Sequence, residues 1–232
     1  MKAANNRQGT AALVSELVSA ELASWLGLSV PPFSVIHTID IEIMMERPLE
    51  AMEAPLFFSR FVSNAVTRDG TDNLIKKLSR PDDVSRLVIF DTWIRNVDRF
   101  DNAGSNSDNL LFAPIKRRYE LTPIDHTHCF TDDISGFEVG IARVEWIEDP
   151  NVYGLFPEFE PHITALAVDN VLNDLSSLTR VKVEEIVASV PALWGLGPGM
   201  SRSLLNFVER RCRVERYAAL DAGAMNFSAF WR

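Results

Sequence analysis

Cysteine is scarce in this 232-residue chain: Cys129 and Cys212 are all it has. Two thiols cannot build the disulfide framework of a small secreted domain, and no signal peptide precedes them, so both are read as reduced thiols of a cytoplasmic protein. Positive charge is also in deficit, with 23 Lys and Arg against 32 Asp and Glu and a formal net charge of −9. Binding a nucleic acid requires clustered cations to neutralise phosphates, which argues against nucleic acid as a direct partner. The short cluster Lys116, Arg117, Arg118 predicts a turn between strands, and Arg210, Arg211, Arg213 and Arg216 predict one face of a C-terminal helix. No apolar run approaches the roughly 20 residues that span a bilayer as a helix, so no membrane span is expected. No G-x-S-x-G elbow is present for a serine hydrolase. Histidine is also sparse: His126, His128 and Cys129 lie close in sequence, but His37, His162 and Cys212 belong to other elements, so the set of about four ligands a zinc site needs is missing. The glycines of WGLGPGM, 194–200, do not follow a strand and make a poor dinucleotide fingerprint.

What is there is ordinary globular material, 47% hydrophobic and 24% charged, long enough for one sizeable domain or two small lobes sharing a cleft. Helical spacing over 10–27 (Leu13, Leu17, Ala20, Leu22, Trp25, Leu26, ending at Gly27) predicts a helix. After a Pro-Pro break, Val35, Ile36, Ile39, Ile41 and Ile43 have strand chemistry, and 55–66 reads as another strand. Residues 81–96 predict a helix with Pro81 in its first turn and Asp82 and Asp83 at its positive end. DNLLFAP and RRYELTPID predict a β-hairpin. Residues 131–160 are irregular, acidic and aromatic, and helices follow over 161–178, 181–190 and 201–220. There is no internal repeat. The layout is α+β: a small mixed part and then a larger, mostly helical part, with a boundary near 62–75 where the composition turns polar.

The loop NVDRFDNAGSNSDNLLF, 96–112, carries the chemistry. Asp98 lies in it, Asn109 stands at the start of the hairpin's first strand, and Asp125 stands at the end of its second. A hairpin brings those two ends together, and the loop holding Asp98 abuts them. Singly, such residues cap turns and element ends. As an ordered set they place two carboxylates and one carboxamide at one spot, all hard oxygen donors or proton acceptors. Mg²⁺ prefers such oxygens and shares its shell with substrate phosphates. An acidic group that does not hold the metal can take a proton from an attacking hydroxyl. The order base, Asn, metal Asp is the one used in phosphoryl transfer by kinases. Asp91, Asn96 and Arg99 are read as structural, and Trp93, Phe130 and Trp146 as core.

The stretch FDTWIRNVDRFDNAGSNSDNLLF…ELTPIDHTHCF resembles the catalytic segment of the HipA-like kinases, particularly their compact single-chain relatives. The resemblance implies a two-lobed, protein-kinase-like α+β fold in which Asp98 is the catalytic base and Asn109 and Asp125 hold Mg²⁺ with ATP. His126 then stands where protein kinases have the Phe of Asp-Phe-Gly. Upstream, MKAANNRQGTAALVSELVSAELASWLGLSVPP resembles the family's run from the nucleotide-binding lysine into its first helix. By that match Lys2 contacts the α/β-phosphates, Glu16 is the helix carboxylate that pairs with it, and Asn5 to Gly9 is the loop after the lysine. A residue so near a terminus is expected to fray unless something ties it down. The glycine-rich turn that precedes the lysine in a kinase has no counterpart before Lys2, which implies a truncated N-lobe over 1–65 and a C-lobe over 66–232. The expected activity is phosphoryl transfer from ATP with Mg²⁺, with a protein Ser or Thr as acceptor. The alternative is an impaired kinase-like scaffold or one half of a split kinase, completed by an N-lobe-like or antitoxin-like partner chain.

Overall fold

Helix α1 (Gly9–Trp25) is buried on every side over residues 11–20, including Ser15, Glu16 and Ser19. A helix that is mostly hydrophobic all round sits inside a protein rather than on it. The structure is a computed structural model, and it describes residues 2, 8–37, 54–67, 73–101, 104–131 and 151–212. Asn5 to Arg7 of the expected loop after Lys2, the strand residues Ile39, Ile41 and Ile43, the acidic stretch 132–150 with Trp146, and Arg213 and Arg216 lie outside those residues, and Gly9, the expected end of that loop, is the first residue of α1.

Gly27, at φ 81, ends the α1 turn in the left-handed region that glycine tolerates. Strands β1 (Phe33–Ile36) and β2 (Leu56–Ser59) pair antiparallel with Ser34 opposite Phe58. Lys2 adds to the other side of β2 through two backbone hydrogen bonds with Phe57, of 2.8 and 3.1 Å. The single strand expected over 55–66 is therefore two strands in different sheets. Asn64 turns the chain at φ 57, and β3 (Val66–Thr67) joins the second sheet.

Helix α2 (Asp83–Ile94) is buried almost throughout and ends where Arg95 adopts a left-handed conformation. The loop beyond it contains a two-residue ladder, β4 (Phe100–Asp101) with β5 (Gly104–Ser105), and a 3-10 turn over Ser107–Asn109. Strands β6 (Leu110–Ile115) and β7 (Arg118–Pro123) form the expected hairpin, and Lys116 makes its turn at φ 55. The sheet order is β3-β6-β7, with Leu110 opposite Pro123.

Helices α3 (Ala165–Ser176), α4 (Arg180–Ala188) and α5 (Pro198–Arg211) follow. Thr164 and Thr179 cap the first two by accepting from the N–H groups of Ala167 and Lys182. α5 starts three residues before the expected 201, because Pro198 occupies its first turn, where a missing N–H costs nothing. Arg211 does not share a face with the exposed Arg210. It is fully buried and donates to the carbonyls of Thr92 and Trp93 at the end of α2. A guanidinium there meets the orphan carbonyls and the negative end of the helix dipole. One continuous apolar core runs from Leu13 in α1 to Val208 in α5.

Candidate active site

Glu16 is a carboxylate on a buried helix, 4% exposed, and burying a charge is costly unless it is paired. Its partner is Lys2, whose Nζ lies 2.5 Å from Glu16 Oε1. The same Nζ lies 2.6 Å from Asp125 Oδ1 and also donates to the Thr127 hydroxyl. Three acceptors thus take the three ammonium protons, and the backbone ladder to Phe57 holds the lysine in place. These contacts are the tie that a residue so early in the chain needs.

Asp125 follows β7 in the left-handed region at φ 54, uncommon for a residue with a side chain. Burial alone would raise its pKa. The Lys2 charge and the hydrogen bonds from Lys2 and Thr127 outweigh that and hold it well below the usual carboxylate range. Glu16 behaves oppositely: deeper burial raises its pKa despite the Lys2 charge. Burial works against the Lys2 ammonium, but Glu16 and Asp125 together raise its pKa. Of the two acids sharing the lysine, Asp125 is the one whose pKa is lowered.

Asp98 and Asn109 meet directly. Asn109 Nδ2 donates to Asp98 Oδ2 at 3.1 Å, and Asn106 Nδ2 donates to the same oxygen at 3.0 Å. The hairpin register carries Asn109 to the residue beside Asp125: the Ile124 N–H donates to the Asn109 carbonyl at 3.0 Å. Arg99 fastens both. Its guanidinium, 1% exposed, bonds to Asp91 Oδ2 at 2.7 Å, to the carbonyls of Asn109 and Ile124, and to His126 Nε2 at 3.2 Å. Asn96 completes the support by donating to Asp91 Oδ1 at 2.9 Å. The five residues singled out from the sequence therefore form two clusters, Lys2–Glu16–Asp125 and Asp98–Asn109, joined through residue 124 and one buried arginine. Arg99, Asp91 and Asn96 have the structural role expected of them. Asn106 and Thr127 were missed. Each is a small polar residue in a loop where such residues are common, and no spacing marks either.

The hydrogen bonds to the two aspartates are one-sided. All of those to Asp125 fall on Oδ1 and all of those to Asp98 fall on Oδ2. Each acid keeps one oxygen with no hydrogen bond among the described residues. A cleft of about 510 Å³ opens over Lys2, Glu16 and Asp125, with Leu111, Ile124 and Val62 among its apolar lining. That volume falls within the range of small-molecule sites. Among the described residues no three His, Cys, Asp or Glu groups gather as a self-sufficient metal cage. One carboxylate and one carboxamide fit Mg²⁺ only if substrate oxygens complete the shell, which is how that ion is usually bound beside phosphates. No helix among the described residues is long and apolar enough to cross a membrane.

Among curated proteins, none matches the chain. The family model described as HipA-like kinase matches residues 2–149, from Lys2 through both aspartates and past the His126–Phe130 segment. With that match over more than half its length, the chain belongs to the HipA-like kinase family, a family of kinase-like phosphotransferases.

Proposed function

We propose that this protein transfers the terminal phosphoryl group of ATP to a hydroxyl, most simply a Ser or Thr hydroxyl of a protein. The observation that carries the reading is a cleft lined by Lys2 and the half-tethered Asp125, with a second half-tethered aspartate, Asp98, bonded to Asn109, whose carbonyl accepts from the Ile124 N–H. Leu111, Ile124 and Val62 suit a purine, and Lys2 supplies positive charge for the α/β-phosphates. Asp98, with Oδ2 fixed by two carboxamides, orients Oδ1 to take the proton of the acceptor hydroxyl as its oxygen bonds to phosphorus and ADP departs. Asn109 and Asp125 would hold Mg²⁺, which when bound neutralises charge on the phosphate oxygens. The protein contributes position and preorganised charge rather than covalent chemistry.

The test is transfer of labelled phosphate from ATP to a protein acceptor by the native chain and by Asp98→Ala. Loss of a general base is expected to lower the rate by about 100-fold or more. Equal labelling by both proteins overturns the assignment of Asp98. A second reading, a nucleotide-binding scaffold without turnover, is favoured by the Lys2–Asp125 ion pair, because the ammonium occupies an oxygen of the residue that would hold metal. Micromolar nucleotide binding with no label transfer by the native chain selects that reading.

A further inference from the structure

Thr127 is 2% exposed and its hydroxyl touches three charged groups. It lies 2.6 Å from Asp125 Oδ1 and 3.1 Å from Glu16 Oε1, and it accepts from the Lys2 ammonium. A hydroxyl has one proton and two lone pairs. The ammonium fills a lone pair, so the proton goes to a carboxylate, and the shorter distance assigns it to Asp125. The backbone between them cannot swing, because the His126 N–H is bonded to Glu16 Oε1 at 3.1 Å and the His126 ring is held by Arg99.

We propose that Thr127 is a positioning residue for the divalent cation: its hydroxyl ties Oδ1 of Asp125 and so presents Oδ2 to the metal. This rests on reading the site as a phosphotransferase. The need for it comes from Lys2. Lys2 is the other donor to Oδ1, and it must turn at least one of its three N–H groups toward the phosphates when a nucleotide binds. Carboxylate torsions are broad, and the Asp125 side chain is 41% exposed. Without a second donor, Asp125 would lose its orientation at the moment the cation needs it. Thr127, two residues along the same turn, supplies that donor and stays in place whatever Lys2 does.

The test is Mn²⁺ binding, read by electron paramagnetic resonance with a saturating non-hydrolysable ATP analogue. Thr127→Val keeps the shape and removes the hydroxyl, and is expected to weaken Mn²⁺ binding by about tenfold, the size of one hydrogen bond to a charged group. Thr127→Ser restores the hydroxyl and is expected to stay within about twofold of the native chain, a rescue that a packing role would not produce. Melting curves establish that each variant is folded. Should Thr127→Val fail to fold, Thr127→Ala is read in the same way. Native-like Mn²⁺ binding by a folded hydroxyl-less variant overturns the role of Thr127 and leaves the phosphotransferase reading standing, as does a loss in Thr127→Ser equal to that in Thr127→Val. Absence of Mn²⁺ and nucleotide binding in the native chain overturns both.

Discussion

His126 shows how one buried side chain makes stability depend on pH. Its Nε2 faces the Arg99 guanidinium, which can only donate, so the ring must be neutral with that nitrogen as acceptor. Burial first, and then the charge of Arg99, push its pKa well below the ordinary value, with Asp125 opposing and Lys2 reinforcing. In the unfolded chain the imidazole titrates normally, near 6.5. The unfolded state therefore binds an extra proton below that pH while the folded state does not. Stability from this group is fully present above about pH 7.5 and falls as pH is lowered through 6.5, by about 1.4 kcal/mol per unit at most. Urea melts at pH 7.5 and 5.5 are expected to differ by about 1 kcal/mol more in the native chain than in His126→Gln, whose amide oxygen can still accept from Arg99. An identical pH dependence in both would assign the effect elsewhere. At this scale the sequence was legible where neighbours follow from hairpin geometry: a loop followed by two strands predicts the contact of Asp98 with Asn109 and the pairing of Asn109 with the residue before Asp125. The partners of Arg99 were not legible, because they come from a helix eight residues back and from two carbonyls just beyond the paired ends of the hairpin.

At the scale of elements, helices and the hairpin were legible and strand ends were not. Periodicity marks α1 and α2 clearly, yet 55–66 reads as one strand because nothing in FFSRFVSNAV announces that Asn64 takes a positive φ. The segment 151–156 carries no periodic signal at all, although it closes the support beneath the site. Gly154 there has φ 72, and a Cβ added to it would lie 2.5 Å from Asp91 Oδ2, the oxygen that holds Arg99. Gly154→Ala is therefore expected to combine backbone strain with a collision against a buried ion pair, lowering stability by more than about 2 kcal/mol. Because Arg99 bonds the carbonyls of Asn109 and Ile124, the same substitution is expected to slow phosphoryl transfer as well. Thr164→Ala is the control: it removes the α3 cap, costs about 1 kcal/mol, and leaves transfer unchanged. Denaturant midpoints and initial rates on the two variants check both halves, and a Gly154→Ala protein as stable and active as the control would break the link between this segment and the site.

At the scale of the whole molecule, the two-lobed division with a boundary at residue 65 meets a core that does not stop there. Helix α1, on the N-lobe side of that boundary, packs against α4 and the 3-10 turn Ala192–Trp194. Trp194 Nε1 donates to the Pro55 carbonyl just before β2, at 2.8 Å. Trp25 lies edge-on to Trp93, so α1 is also joined to α2 and, through Trp93 Nε1 and the Val208 carbonyl, to α5. Two lobes that share a buried helix cannot unfold separately without exposing it, which predicts one cooperative transition. Tryptophan fluorescence reports on Trp93 and Trp194 inside this core, whereas far-UV circular dichroism reports on all helices, so their urea curves are expected to coincide. Ligand linkage sharpens the test. A nucleotide analogue with Mg²⁺ at about 100 times its dissociation constant stabilises the folded state by about 2.7 kcal/mol. In a single cooperative unit that moves both curves together. A shift confined to fluorescence, with the helical signal melting at its original midpoint, would separate the cleft from the C-terminal helices and overturn the single cooperative unit.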